Sequence, residues 1–299
     1  MTPKKIGFIG LGLMGGWMVK HLLASGHTVL GYDRNEEQVK ALIPFGLTPV
    51  KEVSELPHLA DVLIFSLPTS QIVSEVVHQD LHLIERPVKG LVMIDTSTAD
   101  PRLTKELAEK IASQGMYFLD AAVSGTSEMC KAKDTLFMVG GSEAIYNQWS
   151  GVFTDMGRES VFMGESGAGS AIKLVVNLVL AINRMGMAEG LTLAKQAGID
   201  QAKALEVLKK SAAYSKSMDQ KGTRMVERNF YPPIGHLSTH YKDVQLMVSY
   251  AGSLYCPVPV ISLAAQALAS EMSKGSHDRD SSAMICFYDG LVASPKKQS

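Results

Sequence analysis

The sequence predicts an α/β protein, in which an N-terminal doubly wound parallel sheet is followed by an all-α C-terminal domain that is joined to it through a long helix. Three observations favour this fold class. Short β-branched, apolar runs alternate with amphipathic helical stretches over the first half of the 299 residues. A glycine-rich turn directly follows the first of these runs. After Gly164 the sequence shows helical patterns only.

Seven segments of the first half are predicted to be strands. Most of them are apolar throughout, which is typical of strands that are buried on both faces, as in a parallel sheet between two layers of helices. Residues 15–25 carry apolar side chains on one face and are predicted to form the helix between the first two strands. The predicted strands are residues 5–9, 28–32, 62–67, 91–95, 117–120, 135–141 and 161–164.

The second half of the chain is predicted to be helical. Residues 169–197 contain few helix breakers, and a helix of that length would span roughly 40 Å. A helix that is apolar on most sides must pack against more than one neighbour, so we expect a homodimer or a homotetramer. Further helices are predicted at residues 201–213, 258–273 and 281–291. We therefore place the domain boundary after residue 164, which gives domains of residues 1–164 and 165–299.

Composition excludes several classes of partner. The net charge is -1 at pH 7, so no overall positive field would attract nucleic acid or an anionic membrane. The long apolar stretch after Lys173 is interrupted by Asn177, Asn183, Arg184 and Glu189, which argues against a membrane span. The three cysteines are far apart and form no metal-binding or disulfide pattern. We expect a cytoplasmic protein that binds neither nucleic acid nor membrane.

The turn after the first predicted strand fits the dinucleotide-binding pattern G-x-G-x-x-G. Glycines at these positions allow a tight turn and let the backbone approach a pyrophosphate at the N-terminus of the following helix. Asp33 ends the second predicted strand about twenty residues later, where an acidic side chain would bind the ribose hydroxyls and repel a 2′-phosphate. Residues 1–164 are therefore predicted to be a Rossmann domain that favours NAD over NADP, although the adjacent Arg34 could assist NADP. The predicted cofactor-binding residues of this turn are Gly10, Leu11, Gly12, Leu13, Met14 and Gly15.

The same turn, and four later segments, resemble the β-hydroxyacid dehydrogenase family, which includes 3-hydroxyisobutyrate dehydrogenase and tartronate semialdehyde reductase. The family commonly has D-x-P-V-S-G-G where this chain has Asp-Ala-Ala-Val-Ser-Gly-Thr at residues 120–126. It has G-x-x-x-K-x-x-x-N where this chain has Gly169, Lys173 and Asn177. Lys242–Asp243 is similar to its late K-D pair, and residues 280–283 are similar to its C-terminal D-x-S-A. The resemblance covers nearly the whole chain.

The resemblance implies a dehydrogenase that acts on a small, anionic β-hydroxy acid, or a reductase of the corresponding semialdehyde. It implies that Ser124, Gly125 and Thr126 hold the substrate's carboxylate, and that residues 165–299 form a domain for substrate binding and oligomerisation. The resemblance also implies that Lys173 is the general acid/base, that Asn177 binds substrate, and that Lys242 lies where cofactor and substrate meet. Residues implied to contact the nicotinamide half of the cofactor are Leu67, Pro68, Thr96 and Thr98.

The spacing of Lys173 and Asn177 agrees with these roles. Residues four apart project from one face of a helix, so the two side chains can reach one ligand. Hydride transfer needs a group that accepts the hydroxyl proton, and an amine that is withdrawn from water is a suitable base. Asn177 cannot titrate and can anchor a substrate oxygen. Taken alone, Ser124 and Gly125 fit a strand-to-loop turn as well as an anion site.

His236 and His240 are also four residues apart, but no glutamate or third ligand accompanies them. We therefore expect no metal site, and we assign His240 to hydrogen bonding near the substrate. Two departures from the family pattern, Ala122 for proline and Thr126 for glycine, leave the substrate open, including whether its anion is a carboxylate, a sulfonate or a phosphate. Two alternatives also remain open: a non-catalytic dinucleotide-binding assembly module, and oxidative decarboxylation of a phosphogluconate-like acid.

Overall fold

The computed structural model describes residues 2–292. Eight strands form one sheet in the order β3-β2-β1-β4-β5-β6-β7-β8. This mostly parallel sheet and the helices that follow it confirm the predicted fold class. The strands are β1 (Lys5–Ile9), β2 (Thr28–Tyr32), β3 (Thr48–Pro49), β4 (Val62–Phe65), β5 (Val92–Asp95), β6 (Tyr117–Ser124), β7 (Leu136–Gly140) and β8 (Glu159–Gly164).

One pair of strands departs from the expected parallel arrangement. Strand β7 runs antiparallel to β6, with Ser124 opposite Leu136 and Asp120 opposite Gly140. The two strands are joined by a connection that holds only one short helix, and a parallel partner would need a crossover of a dozen residues or more. The next connection contains a long helix, and β8 is accordingly parallel to β7.

Two layers of helices cover the sheet, because successive side chains of a buried strand point to opposite faces. In β4, Ile64 belongs to the apolar core on one face, while Leu63 and Phe65 belong to the core on the other. The helices of this part of the chain are α1 (Leu13–Ala24), α2 (Glu36–Lys40), α3 (Leu56–Leu59), α4 (Ser70–Glu75), α5 (Pro101–Ser113), α6 (Ser127–Lys131) and α7 (Glu143–Met156).

The chain divides into two compact units after Lys173. The second unit has its own apolar core, to which Ala181, Leu191, Val244 and Leu268 contribute fully or almost fully buried side chains. Its helices are the greater part of α8 (Ala168–Gln196), then α9 (Gln201–Lys210), α10 (Thr223–Glu227), α11 (Leu237–Ser253), α12 (Pro259–Ser273) and α13 (Ile285–Leu291).

Among the described residues, α8 is the one helix long and apolar enough to cross a membrane by length and composition. Its buried side chains, such as Ala181 and Leu191, belong to the core of the second unit. A third of its most apolar window is buried, and Val175, Val179 and Leu193 are exposed. Packing in the core of the second unit therefore explains part of the apolar composition of α8.

Candidate active site

The glycine turn after β1 has the geometry that a bound pyrophosphate requires. Gly10 has φ +96°, and a Cβ there would lie 2.3 Å from the Ser66 carbonyl oxygen, so no other residue fits. A Cβ on Gly12, by contrast, would meet no atom within 4 Å. Gly12 therefore borders open space directly before the N-terminus of α1, whose dipole favours an anion. The residues present fit a dinucleotide phosphate.

The side chains of the same turn have separate roles. Leu11 is buried in the core beneath the sheet, and Met14 packs against that core. Leu13 is 80% exposed. Leu11 is therefore available to a ligand only through its backbone, whereas the exposed side chain of Leu13 could contact a ligand.

Asp33 lies just after β2 and is tied to the glycine turn. Its Oδ2 accepts a hydrogen bond from the backbone N–H of Leu11 at 2.7 Å, and its Oδ1 accepts one from Asn35 N–H at 2.8 Å. Arg34 is exposed, and its Nη2 lies 3.3 Å from Asp80 Oδ2. The carboxylate thus organises the turn, and the arginine beside it already has an acidic partner.

A cleft of about 330 Å³ runs along the edge of the sheet from this turn. Apolar side chains of α4 and of the segment after it, Ile72 and Val76, line one side of it. A cleft lined by apolar groups and a few placed polar groups is typical of a cofactor site. The predicted cofactor-binding residues that line it are Gly10, Gly12, Asp33, Arg34, Leu67 and Pro68.

Of the predicted nicotinamide contacts, Thr96 and Thr98 follow β5, and only one of their two hydroxyls is available to a ligand. Thr96 is buried, and its hydroxyl donates a hydrogen bond to the Phe65 carbonyl oxygen at 2.7 Å. The backbone N–H of Leu67 donates to Ser97 Oγ at 2.9 Å. These bonds fix the ends of β4 and β5 relative to each other. Thr98 is half-buried, and of the two threonines its hydroxyl is the one without such a bond among the described contacts.

Asp120, in β6, anchors the N-terminal end of α8. Its Oδ1 accepts from Gly167 N–H at 2.8 Å and its Oδ2 from Ser170 N–H at 2.7 Å. The contact is so close that a Cβ on Gly169 would lie 2.4 Å from the Asp120 carbonyl oxygen. Lys173 follows one turn later and is 8% exposed. The buried carboxylate therefore fixes the first turns of the helix that carries the predicted acid/base.

No local pattern in the sequence predicts this role for Asp120, although Asp120 opens the segment of residues 120–126 and Gly169 opens the G-x-x-x-K pattern. Asp120 is paired in the sheet with a second buried carboxyl group, Asp95. Burial raises the pKa of both groups, and it raises the pKa of Asp95 to about 6, with Asp120 adding to that rise. Two adjacent buried carboxyl groups are thus part of the framework under the site.

The predicted anion segment lies where β6 ends. Ser124 is the last residue of β6, and Ser124, Gly125 and Thr126 are all half-buried. The Thr126 hydroxyl oxygen accepts a hydrogen bond from Met129 N–H at 3.3 Å and so caps α6. Its proton can still be donated to a ligand. Cys130, in the same loop, is fully buried, and burial raises its pKa to about 11, which suits a packing residue.

The remaining predicted residues lie in the second unit. Asn177 is half-buried on α8, four residues after Lys173 on the same continuous helix. Lys242 is exposed, and its Nζ lies 3.3 Å from Asp243 Oδ1. His240 is 8% exposed. Burial and the charges of Arg184 and Lys221 lower its pKa to about 3, so it is neutral at pH 7. Within residues 2–292, no group of three or more His, Cys, Asp or Glu could hold a metal ion.

Two family models match the chain. Residues 5–164 match the NAD binding domain of 6-phosphogluconate dehydrogenase, and residues 167–288 match the NAD-binding domain of NADP-dependent 3-hydroxyisobutyrate dehydrogenase. A solved 3-hydroxyisobutyrate dehydrogenase from Mycobacterium tuberculosis, studied with L-serine, is 27% identical, with a TM-score of 0.87. That likeness covers 98% of this chain and all of the other.

Two proteins that are similar in sequence have names other than 3-hydroxyisobutyrate dehydrogenase. The 2-(hydroxymethyl)glutarate dehydrogenase of Eubacterium barkeri is 30% identical over 96% of both chains. The cytokine-like nuclear factor N-PAC of Xenopus tropicalis is 31% identical over 96% of this chain. The present chain spans about half of N-PAC, 54% of its length.

Proposed function

Because the chain belongs to the β-hydroxyacid dehydrogenase family, we propose that it transfers a hydride between NAD and a small β-hydroxy acid, or reduces the corresponding semialdehyde. The observation that carries the proposal is the placement of Lys173. This buried amine lies one turn into a helix whose start is fixed by both carboxylate oxygens of Asp120. A lysine that only extended into solvent would not need the start of its helix to be fixed in this way.

The nicotinamide, when bound, accepts or supplies the hydride. The chain's own residues bind the cofactor, orient the substrate and move a proton. The open space at Gly12 suits the pyrophosphate, and Asp33 would receive the adenine ribose. In oxidation, Nζ of Lys173 would take the proton of the substrate hydroxyl, and in reduction it would return that proton.

We assign substrate positioning to two further groups. Asn177, one turn after Lys173, would hold a substrate oxygen without competing for the proton. Ser124, Gly125 and Thr126 would hold the substrate's anionic group through the serine and threonine hydroxyls and the backbone. Lys242 would lie where cofactor and substrate meet. A pKa of about 3 makes His240 a weak base, which supports the choice of Lys173 as the acid/base.

We further propose that NAD is preferred over NADP. A 2′-phosphate beside the Asp33 carboxylate would be repelled, and the neighbouring Arg34 is already close to Asp80. Against this stand the description of one matched family model as NADP-dependent, and a structural neighbour, Psf3, that was solved with NADP+. The comparison of the two cofactors is therefore part of the first experiment.

The experiment is a screen of purified protein with β-hydroxy acids and their semialdehydes, in which nicotinamide absorbance is followed with NAD and NADP separately. Turnover of at least one small β-hydroxy acid, faster with NAD, supports the proposal. Absence of turnover with every acid and both cofactors would instead favour the alternative, a non-catalytic assembly module.

The exposed apolar side chains of Val175, Val179 and Leu193 on α8 support a homodimer or homotetramer, which light scattering would test.

A further inference from the structure

The carboxylate of Asp280, in the second unit, is 0% exposed and accepts six hydrogen bonds. Lys221 Nζ donates to both oxygens, at 2.9 Å and 2.7 Å. Ser282 donates to Oδ1 through its N–H and its hydroxyl, and the backbone N–H groups of Ile234 and Gly235 donate to Oδ2. Burial opposes ionisation, but the bonds from Lys221 and Ser282 outweigh it and hold the pKa of Asp280 well below its ordinary value. The group is therefore a carboxylate at neutral pH.

The backbone around Asp280 is also paired with the segment that precedes α11. Asp280 lies opposite His236 in an isolated antiparallel pair. Asp280 N–H donates to the Phe230 carbonyl oxygen at 3.0 Å, and Ser281 N–H donates to that of Gly235 at 2.8 Å. Together with the two bonds that the carboxylate accepts from this segment, these contacts hold the residues before α11 against one buried side chain and its neighbours.

The start of α11 depends on the same stretch of chain. The first N–H groups of a helix have no partner within the helix. In α11, Leu237 N–H donates to the Arg279 carbonyl oxygen at 2.8 Å, and Ser238 N–H donates to that of His277 at 3.3 Å. His236, at the N-cap position, makes no side-chain capping bond among the described contacts. The chain around Asp280 therefore does what a capping side chain usually does.

Lys242 lies shortly after this start of α11. It follows Leu237 by five residues, which is about one and a half turns, or about 7.5 Å along the axis. The fully buried side chains of Leu237 and Val244 hold one face of the helix against the core of the second unit. That packing fixes the rotation of α11, and the bonds at its start fix where the helix begins. A displacement of the start would therefore displace Lys242, which is exposed.

The arrangement is similar to that of the predicted acid/base in the first unit. There, Asp120 accepts from the N–H groups of Gly167 and Ser170, and Lys173 follows on α8. In both places a buried aspartate binds backbone N–H groups at the start of a helix, and a lysine assigned to the site lies within two turns of them. Side chains of a site must be supported by residues that are themselves fixed, and a buried, fully hydrogen-bonded carboxylate meets that requirement.

We propose that Asp280 is a positioning residue for the reaction, which holds Lys242 in place through the start of α11. The inference rests on the proposed function, in which Lys242 lies where cofactor and substrate meet. A carboxylate has about four acceptor sites, and the six donors around Asp280 already occupy them. Asp280 therefore acts through the helix and not on a ligand.

A double-mutant cycle separates positioning from stabilisation of the fold. Asparagine has one acceptor oxygen, so Asp280→Asn can serve either the N–H groups before α11 or Ser282, but not both. It should lower kcat/KM for the best substrate roughly 10- to 100-fold, since a misplacement of about 1 Å can cost about a hundredfold in rate. In a Lys242→Met background the same substitution should lower kcat/KM less than about threefold, because the side chain that it displaces is gone.

Asp289→Asn is the matched control, because that carboxylate pairs with Arg228 elsewhere in the second unit. It should leave kcat/KM within about threefold in both backgrounds. Equal losses from Asp280→Asn in the two backgrounds, or no loss in the wild-type background, would overturn the positioning role. Should Asp280→Asn fold poorly, the paired variant Lys221→Met with Asp280→Asn replaces it in the cycle, since the pair leaves no buried charge without a partner.

Amide hydrogen exchange tests the anchoring without any turnover. In Asp280→Asn, or in the paired variant, exchange of residues 236–242 should accelerate about tenfold or more, because the start of the helix opens locally. Exchange of residues 246–253, at the other end of α11, should change less than about threefold. If the wild type turns over no hydroxy acid with either cofactor, the proposed function is wrong for these substrates, and exchange alone then decides whether Asp280 anchors the start of α11. Equal acceleration at both ends of α11, or none at either, would overturn the inference.

Discussion

The Asp33 carboxylate accepts a hydrogen bond from the backbone N–H of Leu11, 2.7 Å away, and thereby joins the end of β2 to the glycine turn that follows β1. The same carboxylate is the group that we expect to bind the adenine ribose. Asp33 therefore has a structural role and a proposed binding role at once, and a test must separate the two.

Two substitutions at Asp33 make that separation. Asp33→Asn keeps an oxygen that can accept from Leu11 N–H but loses the acceptor for Asn35 N–H and removes the charge. It should therefore narrow the ratio of kcat/KM between NAD and NADP and lower the Tm less than Asp33→Ala does. Asp33→Ala removes the acceptor as well and should also lower the free energy of unfolding by about 1–3 kcal/mol. Steady-state kinetics with both cofactors and thermal melts measure the two effects. A wild-type enzyme that works better with NADP contradicts the ribose assignment.

Asp120→Asn tests whether the start of α8 positions the acid/base. An asparagine offers one acceptor oxygen where Gly167 and Ser170 now donate to two, so the first turn of the helix should shift or loosen. A misplacement of about 1 Å can cost about a hundredfold in rate, and we expect kcat to fall roughly 10- to 100-fold. NAD binding, measured by fluorescence titration, should be unchanged. Glu109→Gln, at an exposed position of α5, is the control.

The result for Asp120→Asn is informative in either direction. If kcat is retained while Tm falls, Asp120 only stabilises the fold and does not position Lys173. If NAD affinity falls along with kcat, the effect is not confined to α8.

Asp95 gives a prediction for the dependence of stability on pH. Burial raises its pKa in the folded state to about 6, from an ordinary value of 3.8. A raised folded pKa means that its contribution to stability is fully present below about pH 4 and is lost as the pH rises through about 6. Asp95→Asn stays neutral and keeps an oxygen that can accept from Ser97 N–H.

The free energy of unfolding of the wild type, relative to Asp95→Asn, should therefore fall by about 2 kcal/mol between pH 4 and pH 8. Urea denaturation at both pH values measures this difference. Parallel stability curves for the two proteins would show that the Asp95 carboxyl group is ionised without penalty in the folded state.

Much of the fold could be predicted because it depends on local patterns. The buried strands are mostly apolar, and α8 was predicted to within one residue at each end. Strand β3 was missed, since it is only Thr48–Pro49 and two residues carry no periodicity. The antiparallel direction of β7 was also missed, because a strand's own composition does not give its direction.

The candidate site was predictable to a similar extent. The glycine turn, Asp33, Lys173 and Asn177 could be named as candidates because each belongs to a motif with fixed spacing. The hydrogen bonds of Asp120 to the start of α8 join residues nearly fifty positions apart, and no local sequence pattern predicts them. The ion pair of Lys221 with Asp280 was missed for the same reason, as was the burial of His240.

The central claim is that Lys173 carries the proton, and the most direct test is Lys173→Met. Methionine keeps a similar aliphatic length, so folding and NAD affinity should persist, as melting curves and cofactor titration would verify. The measurement is kcat for oxidation of the best substrate, which should fall by a factor of about 10² to 10⁴, the usual contribution of general acid–base catalysis. A methionine variant that retains most of the wild-type kcat, with cofactor affinity unchanged, would show that another group transfers the proton and would contradict the account.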